Sequence, residues 1–213
     1  ICLVGSEMCI RDSVLTAHNT TVQAQDIAHN HLNEWNYKSF VPSKTAEPSQ
    51  KKLNNTDSIP DFLLKEEKIM ITGTVYESDG VTPAKDVIVE IYQPDENGYY
   101  CIKRDSEKRY VFHKAAIKTD ADGKYTFYTF IPGIVHRSGM LRHIHPVVKT
   151  GETDEYDLNA FYFENDPMLT KYRKKRLIKK GREQSILKLT TKDDMYITSR
   201  DIILGEDMVS CKR

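Results

Sequence analysis

Short segments rich in Ile, Val, Tyr and Phe recur along the chain from residue 68 onward, and segments containing Gly, Pro, Asp and Asn separate them. In several of these segments apolar and polar residues alternate, which is typical of β-strands with one buried face. Short strands at regular spacing with turn signals between them indicate an all-β sandwich or barrel. The predicted strands lie in KIMITGTVYE, DVIVEIYQP, LRHIHPVVKT, EYDLNAFYFEND, SILKLT and MYITSRDIIL.

The segment AAIKTDADGKYTFYTF carries the strongest hairpin signal in the chain. It reads as a strand, an Asp-Gly turn at Asp122 and Gly123, and a second strand with alternating side chains. Asp-Gly favours the tight turns that connect paired antiparallel strands. The pattern therefore predicts a hairpin centred on this turn.

The first sixty residues have a different texture from the rest. Residues 1–13 resemble the in-frame translation of a sequencing-library adapter, so we exclude them from fold prediction and expect the natural N-terminus, with any signal peptide, to be missing. Residues 14–60 are polar and poorly periodic, which predicts an irregular N-terminal arm with a short helix around residues 29–35. Residues 61–213 are then predicted to form the β-domain, and localisation stays open.

Charge and hydropathy exclude some classes of partner. The 31 Lys and Arg residues balance 31 Asp and Glu residues, so no overall charge attracts nucleic acid or an anionic membrane. No apolar run approaches the ~20 residues that span a bilayer. The basic run at residues 171–182 is interpreted as a solvated loop or helix with Leu177 and Ile178 packed inward, or as an anion-attracting rim. Oligomeric state stays open.

The strand LRHIHPVVKT contains a candidate metal site. His143 and His145 are two residues apart, and residues i and i+2 of a strand share one face, so both imidazoles can reach one metal ion. Apolar Ile144, Val147 and Val148 indicate a buried strand, where imidazoles need hydrogen-bond partners or a metal. The alternative is a half-exposed pair of histidines with ordinary partners.

The order of motifs between about residue 69 and residue 205 resembles the intradiol ring-cleavage dioxygenases, which act on catechol and protocatechuate. The first two motifs, ITGTVYESDG with the strand after it and KTDADGKYTFYTFIPG, are shared in texture with other β-sandwich families. The last three, HIH, FYFENDP and RDIILG, are more specific in this order and spacing. The resemblance implies a β-sandwich of the intradiol dioxygenase core type.

It also implies a mononuclear non-haem Fe³⁺ held by two His and two Tyr. Ferric iron is a hard cation, and charged phenolate oxygens favour it while two neutral imidazoles complete the site. A small aromatic diol would chelate the iron and react with O₂, which opens the ring between the two hydroxyls. Iron and the diol are thus the expected cofactor and substrate.

The family's ligands match this chain in part. His143 and His145 fall on the family's histidine pair, whereas the position of its second tyrosine holds Val135, which has no oxygen donor. His136 is next to Val135 and is the predicted replacement. An adjacent residue on a strand faces the other way, so a bulge or loop would have to turn His136 inward.

The family's first tyrosine is assigned to Tyr110. Counting back without a gap from the strand AAIKTD places Phe112 at that position, so this assignment requires a small gap in the alignment. His113 is a further candidate ligand. The family's arginine before the pair falls on Met140, with Arg142 nearby, and its glutamine falls on Ala160. The predicted set is therefore Tyr110, His136, His143 and His145 as metal ligands, with Tyr110 and Arg142 as catalytic residues.

Three functions follow from this partial match. The first is a ferric intradiol dioxygenase with altered or lost activity. The second is a non-catalytic β-sandwich binding module that keeps the dioxygenase scaffold. The third is a divalent metal site without redox chemistry, because imidazoles also suit Zn, Cu and Ni.

Overall fold

The computed structural model describes residues 31–32, 52–105, 108–135, 138–151 and 154–206, all within one compact unit. It contains two six-stranded sheets, a smaller three-stranded sheet and the helix α1 (Lys171–Lys179). Single 3₁₀ turns lie at Phe62–Leu64 and Glu183–Ser185. In chain order the strands are β1 (His31–Leu32), β2 (Thr56–Ser58), β3 (Lys68–Tyr76), β4 (Ile88–Tyr92), β5 (Tyr100–Asp105), β6 (Lys108–Val111), β7 (Lys114–Lys118), β8 (Lys124–Phe130), β9 (His143–Thr150), β10 (Asp154–Asp157), β11 (Phe161–Phe163), β12 (Ile186–Leu187), β13 (Thr190–Lys192), β14 (Met195–Ser199) and β15 (Ile202–Ile203).

The two large sheets form the predicted β-sandwich. The first has the order β13-β14-β3-β8-β2, with β15 also paired to β3, and the second has the order β12-β11-β9-β4-β7, with β10 also paired to β9. One cluster of buried side chains, which includes Ile71 and Phe127 of the first sheet and Ile91 and Ile144 of the second, fills the space between them. Burying each such side chain contributes about 1.5–3 kcal/mol, so this shared core holds the sheets together.

Alternation along β4 shows how the sequence selects this arrangement. Val89 and Ile91 are buried in the core, whereas Ile88, Glu90 and Tyr92 point to the other face and are only half-buried. Successive side chains of a strand face opposite sides, so the alternating pattern read from the sequence fixes which face of β4 meets the core.

The predicted hairpin at the Asp-Gly turn is wrong. The strands on its two sides belong to different sheets, because β7 pairs with β4 and β8 pairs with β3. The turn at Gly123 (φ +68°) carries the chain across the sandwich. Asp120 stabilises it by accepting the backbone N–H groups of Asp122 and Lys124 at 3.0 and 2.8 Å. Asp-Gly chemistry thus makes the turn, while burial of both strands against the common core decides their partners.

A hairpin that the sequence did not predict covers the outer face of the second sheet. Strands β5 and β6 pair antiparallel, with Ile102 opposite Val111, and β1 pairs with β5. Tyr100, Ile102, Val111 and Val135 form a second buried cluster, and Tyr92 of β4 packs against it. The outer face of β4 is therefore sheltered from water where this hairpin lies.

The N-terminal predictions fall mostly outside the described residues. The adapter-like residues 1–13 and most of the predicted helix at residues 29–35 lie there, although His31–Leu32 is described as the strand β1. The end of the predicted arm, Thr56–Ser58, pairs in parallel with β8. The sandwich therefore begins a few residues before the predicted boundary at residue 60.

The basic run forms α1, with the Thr170 hydroxyl accepting the Arg173 backbone N–H at its start. Leu177 is half-buried, but Ile178 is 40% exposed, so its predicted inward packing is wrong. Adjacent residues of a helix do not face the same side, so Leu177 and Ile178 are not directed at the same neighbours. Within the described ranges, no helix is long and apolar enough to span a membrane.

Two glycines join the segment before β5 to the segment after β8. A Cβ on Gly98 (φ +83°) would lie 2.0 Å from the Ile134 carbonyl oxygen, and one on Gly133 would lie 2.3 Å from the Glu96 carbonyl oxygen. The Gly133 N–H also donates to the Asp95 carbonyl at 2.8 Å. This backbone contact, the glycine clamp of Gly98 and Gly133, sets the position from which β5 starts.

We expect Gly98→Ala to lower the free energy of unfolding by about 3 kcal/mol or more, because it combines left-handed backbone strain with overlap against a carbonyl. Gly139→Ala is the matched control: Gly139 also has positive φ (+62°), but no atom lies within 4 Å of its added Cβ, so a loss of only about 1 kcal/mol is expected. Urea unfolding followed by circular dichroism measures both. Equal losses in the two variants would contradict the clamp.

Candidate metal centre

The two histidines of β9 project from the outer face of the second sheet. Their ring centroids lie 4.5 Å apart with an interplanar angle of 88°. His143 is 1% exposed and His145 is half-buried. Ile144 between them is fully buried in the sandwich core, so the period of two read from the sequence places both imidazoles on one face.

The backbone orients the His143 ring. Its Nδ1 lies 2.7 Å from the carbonyl oxygen of Leu141. A carbonyl oxygen can only accept, so Nδ1 carries the proton and Nε2 is left with a lone pair. Metal-bound histidines commonly have this second contact, which fixes the tautomer and the direction of the donor nitrogen.

The phenol that meets the histidines belongs to Tyr100, the first residue of β5. Its hydroxyl oxygen lies 3.0 Å from His145 Nε2 and 3.4 Å from His143 Nε2, and the side chain is fully buried. Neighbouring donors on one metal ion, each bonded at ~2.1 Å and set at right angles, are separated by about 3 Å. Two imidazole nitrogens and one phenol oxygen thus converge with spacings that suit a single metal ion.

This donor set fits ferric iron, which takes hard anionic oxygen together with imidazole nitrogen. In the described part of the chain no group of three or more His, Cys, Asp and Glu side chains could hold a metal. Beside the histidine pair the structure instead places the hydroxyl of Tyr100.

Asp95 fixes the turn that leads into Tyr100. Its carboxylate accepts the backbone N–H groups of Asn97 and Tyr99 at 2.9 and 2.8 Å, and its carbonyl accepts the N–H of Gly98 at 3.0 Å. With the glycine clamp, this turn brings β5 onto the outer face of the second sheet, where the Tyr100 hydroxyl reaches the imidazoles.

Two more tyrosines stand beside the pair on the adjacent strands. Tyr92 of β4 is opposite His145, and their rings are stacked with centroids 4.8 Å apart and an interplanar angle of 17°. Tyr162 of β11 is opposite His143, with centroids 6.4 Å apart and an angle of 54°. The histidine pair therefore has an aromatic neighbour on each side in the sheet.

Tyr110, the predicted first tyrosine, is on β6 opposite Lys103. Its ring centroid lies 5.6 Å from Lys114 Nζ, and the structure gives it no hydrogen bond or ring contact to the histidine pair among the described residues. The Lys103 Nζ atom lies 3.3 Å from the ring centroid of Phe112. The structure thus brings Tyr100, ten residues earlier in the chain, beside the histidine pair, and Tyr110 as a metal ligand stays a prediction.

The position of the family's second tyrosine is occupied by a buried apolar side chain. Val135 is 1% exposed and packs in the cluster that contains Tyr100. It lies beside the candidate centre but offers no oxygen. His136, the predicted replacement, lies outside the described residues and stays a prediction.

Arg142, the predicted catalytic arginine, makes its contacts away from the imidazoles. Its Nη1 lies 3.6 Å from a carboxylate oxygen of Glu67, and its backbone N–H donates to Asp166 at 2.7 Å. Asp166 also accepts the N–H of Met168 at 2.7 Å and is buried. Arg142 thus helps to anchor the start of β9, immediately before His143.

His113, the further candidate ligand, lies at the edge of the sandwich core. Its ring meets the edge of Phe130 with centroids 5.2 Å apart, and the side chain is 5% exposed. Nδ1 has no hydrogen-bond partner within the described ranges. Burial lowers the pKa of His113, and the nearby Lys65 ammonium group lowers it further. These contacts place it in the core, without a link to the histidine pair.

The strand that carries Tyr100 could have been predicted from its own local signal. Asn97 and Gly98 form a turn pair, and the strand after them alternates Tyr100 and Ile102 inward with Cys101 between them. Turn residues followed by period-two alternation predict a strand that begins at Tyr100. The packing of that strand over β9 depends on tertiary contacts that this local pattern does not contain.

The family model that matches the chain is described as Dioxygenase and covers residues 39–205. The match spans more than half of the chain, so the protein belongs to this dioxygenase family. The resemblance to the intradiol ring-cleavage dioxygenases read from the motifs is confirmed, and the chain is a divergent member. No curated protein sequence matches the chain significantly.

Solved structures of dioxygenases share the fold. The chain is similar to the dioxygenase domain of a dioxygenase–carbohydrate-binding protein fusion from Streptomyces sp. SirexAA-E, with a TM-score of 0.52 and 18% identity over 75% of this chain and 95% of that one. An intradiol ring-cleavage dioxygenase from Tetranychus urticae has a TM-score of 0.54 and 17% identity, over 73% of this chain and 87% of that one. The 3-chlorocatechol 1,2-dioxygenase of Rhodococcus opacus 1CP has a TM-score of 0.53 and 17% identity, over 87% of this chain and 77% of that one.

The buried His113 predicts a pH dependence of stability. The native pKa lies below the ordinary value of 6.5, so at lower pH the unfolded chain binds a proton that the native state excludes. This contribution is complete above pH 6.5 and is lost as the pH falls towards the native pKa, by at most about 1.4 kcal/mol per pH unit.

Unfolding free energies of the wild type and of His113→Phe, measured between pH ~7.5 and ~5, isolate this contribution as their difference. The phenyl ring keeps the contact with Phe130 but carries no proton. We expect the wild type to lose more stability than the variant on acidification. Parallel profiles would show that His113 has the same proton affinity in both states.

Proposed function

We propose that this protein is a non-haem ferric dioxygenase that cleaves a catechol-type ring between its two hydroxyls, with Tyr100, His143 and His145 as metal ligands. The main observation in support is that the Tyr100 hydroxyl lies 3.0 Å from His145 Nε2 and 3.4 Å from His143 Nε2. Family membership and the shared fold support the type of reaction. Ferric iron would supply a Lewis acid that binds the diol as an anion and makes its ring reactive towards O₂.

The protein's own groups would then position and shelter the reaction. The Leu141 carbonyl holds the His143 ring with its Nε2 directed to the site, and Tyr92 covers one face of the His145 ring. The hairpin of β5 and β6 buries Tyr100 and excludes water from that side. A site with reduced access to water strengthens each electrostatic contact and protects a reactive intermediate from hydrolysis.

The same comparisons support a substrate class. Similar structures carry names that include catechol 1,2-dioxygenase and 3-chlorocatechol 1,2-dioxygenase. A small aromatic diol, with O₂ as second substrate, is therefore the substrate that we propose for this chain.

A specific observation also favours a second candidate, a non-catalytic binding module on the same scaffold. Two positions where the family resemblance implies polar side chains hold Val135, which is buried, and Ala160, which is half-buried. Neither side chain can bind a metal or hydrogen-bond a substrate. Loss of polar groups at a site while the scaffold persists is expected when a fold outlives its chemistry.

The test is to load the purified chain with iron and to record its visible spectrum and its oxygen uptake with catechol. We expect one iron per chain, a phenolate-to-iron charge-transfer band, and oxygen uptake. In Tyr100→Phe the band should weaken or disappear and iron affinity should fall at least about tenfold, because even supporting groups around metal ligands contribute that much.

Tyr110→Phe is the matched control, because it removes a phenol hydroxyl from the neighbouring strand. It should keep the band and the affinity of the wild type. A band that survives in Tyr100→Phe and disappears in Tyr110→Phe would overturn the assignment of Tyr100. Iron binding without oxygen uptake would favour the binding module, and the absence of any bound iron would contradict the proposed metal centre.

A further inference from the structure

Three protein donors leave a ferric ion short of negative charge. Tyr100 would contribute one phenolate, whereas His143 and His145 are neutral donors, and a hard trivalent cation favours further anionic oxygen. The described residues offer no cluster of carboxylates or thiolates with the histidines. A further anionic donor from this part of the chain would therefore have to be another phenol.

Tyr92 is close to the pair, but its geometry suits packing. Its ring is nearly parallel to that of His145, at an interplanar angle of 17° and a centroid distance of 4.8 Å. A metal bound to Nε2 lies in the plane of the imidazole. The Tyr92 hydroxyl lies in the plane of the Tyr92 ring, which is stacked on the imidazole of His145. It is therefore badly placed to bind the same ion.

Tyr162 has a different orientation. It is directly opposite His143 across the β11–β9 ladder, and cross-strand partners on one face have Cβ atoms about 5 Å apart. Its ring is tilted by 54° from the His143 ring with a centroid distance of 6.4 Å. The side chain is half-buried, so it lies at the border of the site.

The centroid distance between Tyr162 and His143 is similar to that between Tyr100 and His145, and both ring pairs are tilted. The Tyr100 and His145 centroids are 6.3 Å apart with a tilt of 40°, and in that pair the Tyr100 hydroxyl lies 3.0 Å from Nε2. Tyr100 comes from the covering hairpin and Tyr162 from the sheet itself. The two phenols thus approach the histidine pair from different elements of the fold.

We propose that Tyr162 is a metal ligand that supplies a second phenolate oxygen to the centre formed by Tyr100, His143 and His145. This inference rests on the proposed function, because it assumes that iron binds there. It assigns to β11 the oxygen that the apolar Val135 does not provide. Tyr92 then acts as a positioning residue that holds the His145 ring by stacking.

The experiment compares the wild type, Tyr162→Phe and Tyr92→Phe, each loaded with ferric iron, by visible absorption per bound iron and by competition with a chelator. We expect Tyr162→Phe to lose band intensity and to bind iron at least about tenfold more weakly, since it loses a ligand. Tyr92→Phe keeps the stacked ring and should keep the band. The double variant Tyr100→Phe, Tyr162→Phe should show no band.

Resonance Raman spectra of the iron-loaded wild type provide a readout that needs no variant. Excitation within the visible band should give vibrations of two distinct phenolates. A single phenolate, or a Tyr162→Phe spectrum identical to that of the wild type, would overturn the role of Tyr162 and leave the proposed function in place. A wild-type chain that binds no iron, or binds it without any band, would overturn the proposed iron–phenolate centre and this inference together.

Discussion

The candidate centre depends on one contact, that of the Tyr100 hydroxyl with the two imidazoles of β9. The residues that make it are separated by more than forty positions in the chain. Two conditions bring them together. The alternation of β9 must place His143 and His145 on the outer face of the second sheet, and the β5–β6 hairpin must fold down over that face. The first condition is local, because Ile144 and Val148 fill the sandwich core. The second condition depends on tertiary contacts between the hairpin and the sheet.

The glycine clamp provides that second condition. Gly98 and Gly133 allow two backbone segments to approach more closely than any side chain would permit. One of these segments leads into Tyr100 and the other leads to Val135, so the same contact positions a member of the candidate centre and the apolar side chain beside it. The buried cluster of Tyr100, Ile102, Val111 and Val135 then contributes apolar stabilisation to the hairpin. The centre is therefore built into a small core of its own, separate from the main core of the sandwich.

Alternation and turn residues were sufficient to predict the sandwich and most of its strands, because burial of one face leaves a period-two pattern in the sequence. The pairing of β7 and β8 was predicted wrongly, since the Asp-Gly turn determines only the local bend. Which strand each one joins depends on burial in a core that both sheets share. Ile178 was placed inward because it is apolar, although the helix turns its neighbour Leu177 towards the protein.

The same division between local and tertiary information applies to the site. The His143 and His145 pair was visible because two residues on one pleat are a local feature. The position of Tyr100 beside the pair is not predicted from the sequence, because counting back from the strand AAIKTD does not account for the β5–β6 hairpin that precedes that strand. Arg142 is predicted from its nearness in sequence to the pair; its guanidinium contacts Glu67, and its catalytic role stays a prediction. Ligands that come from separate elements can be assigned only when the packing of those elements is known.

The most direct test of the central claim is X-ray absorption at the iron edge of the ferric-loaded protein. If His143, His145 and Tyr100 bind one ion, the spectrum should show iron surrounded by light N and O atoms, with the outer-shell scattering that two imidazole rings produce. Replacing both histidines with alanine should remove that scattering. An iron environment without imidazole scattering in the wild-type protein would contradict the account.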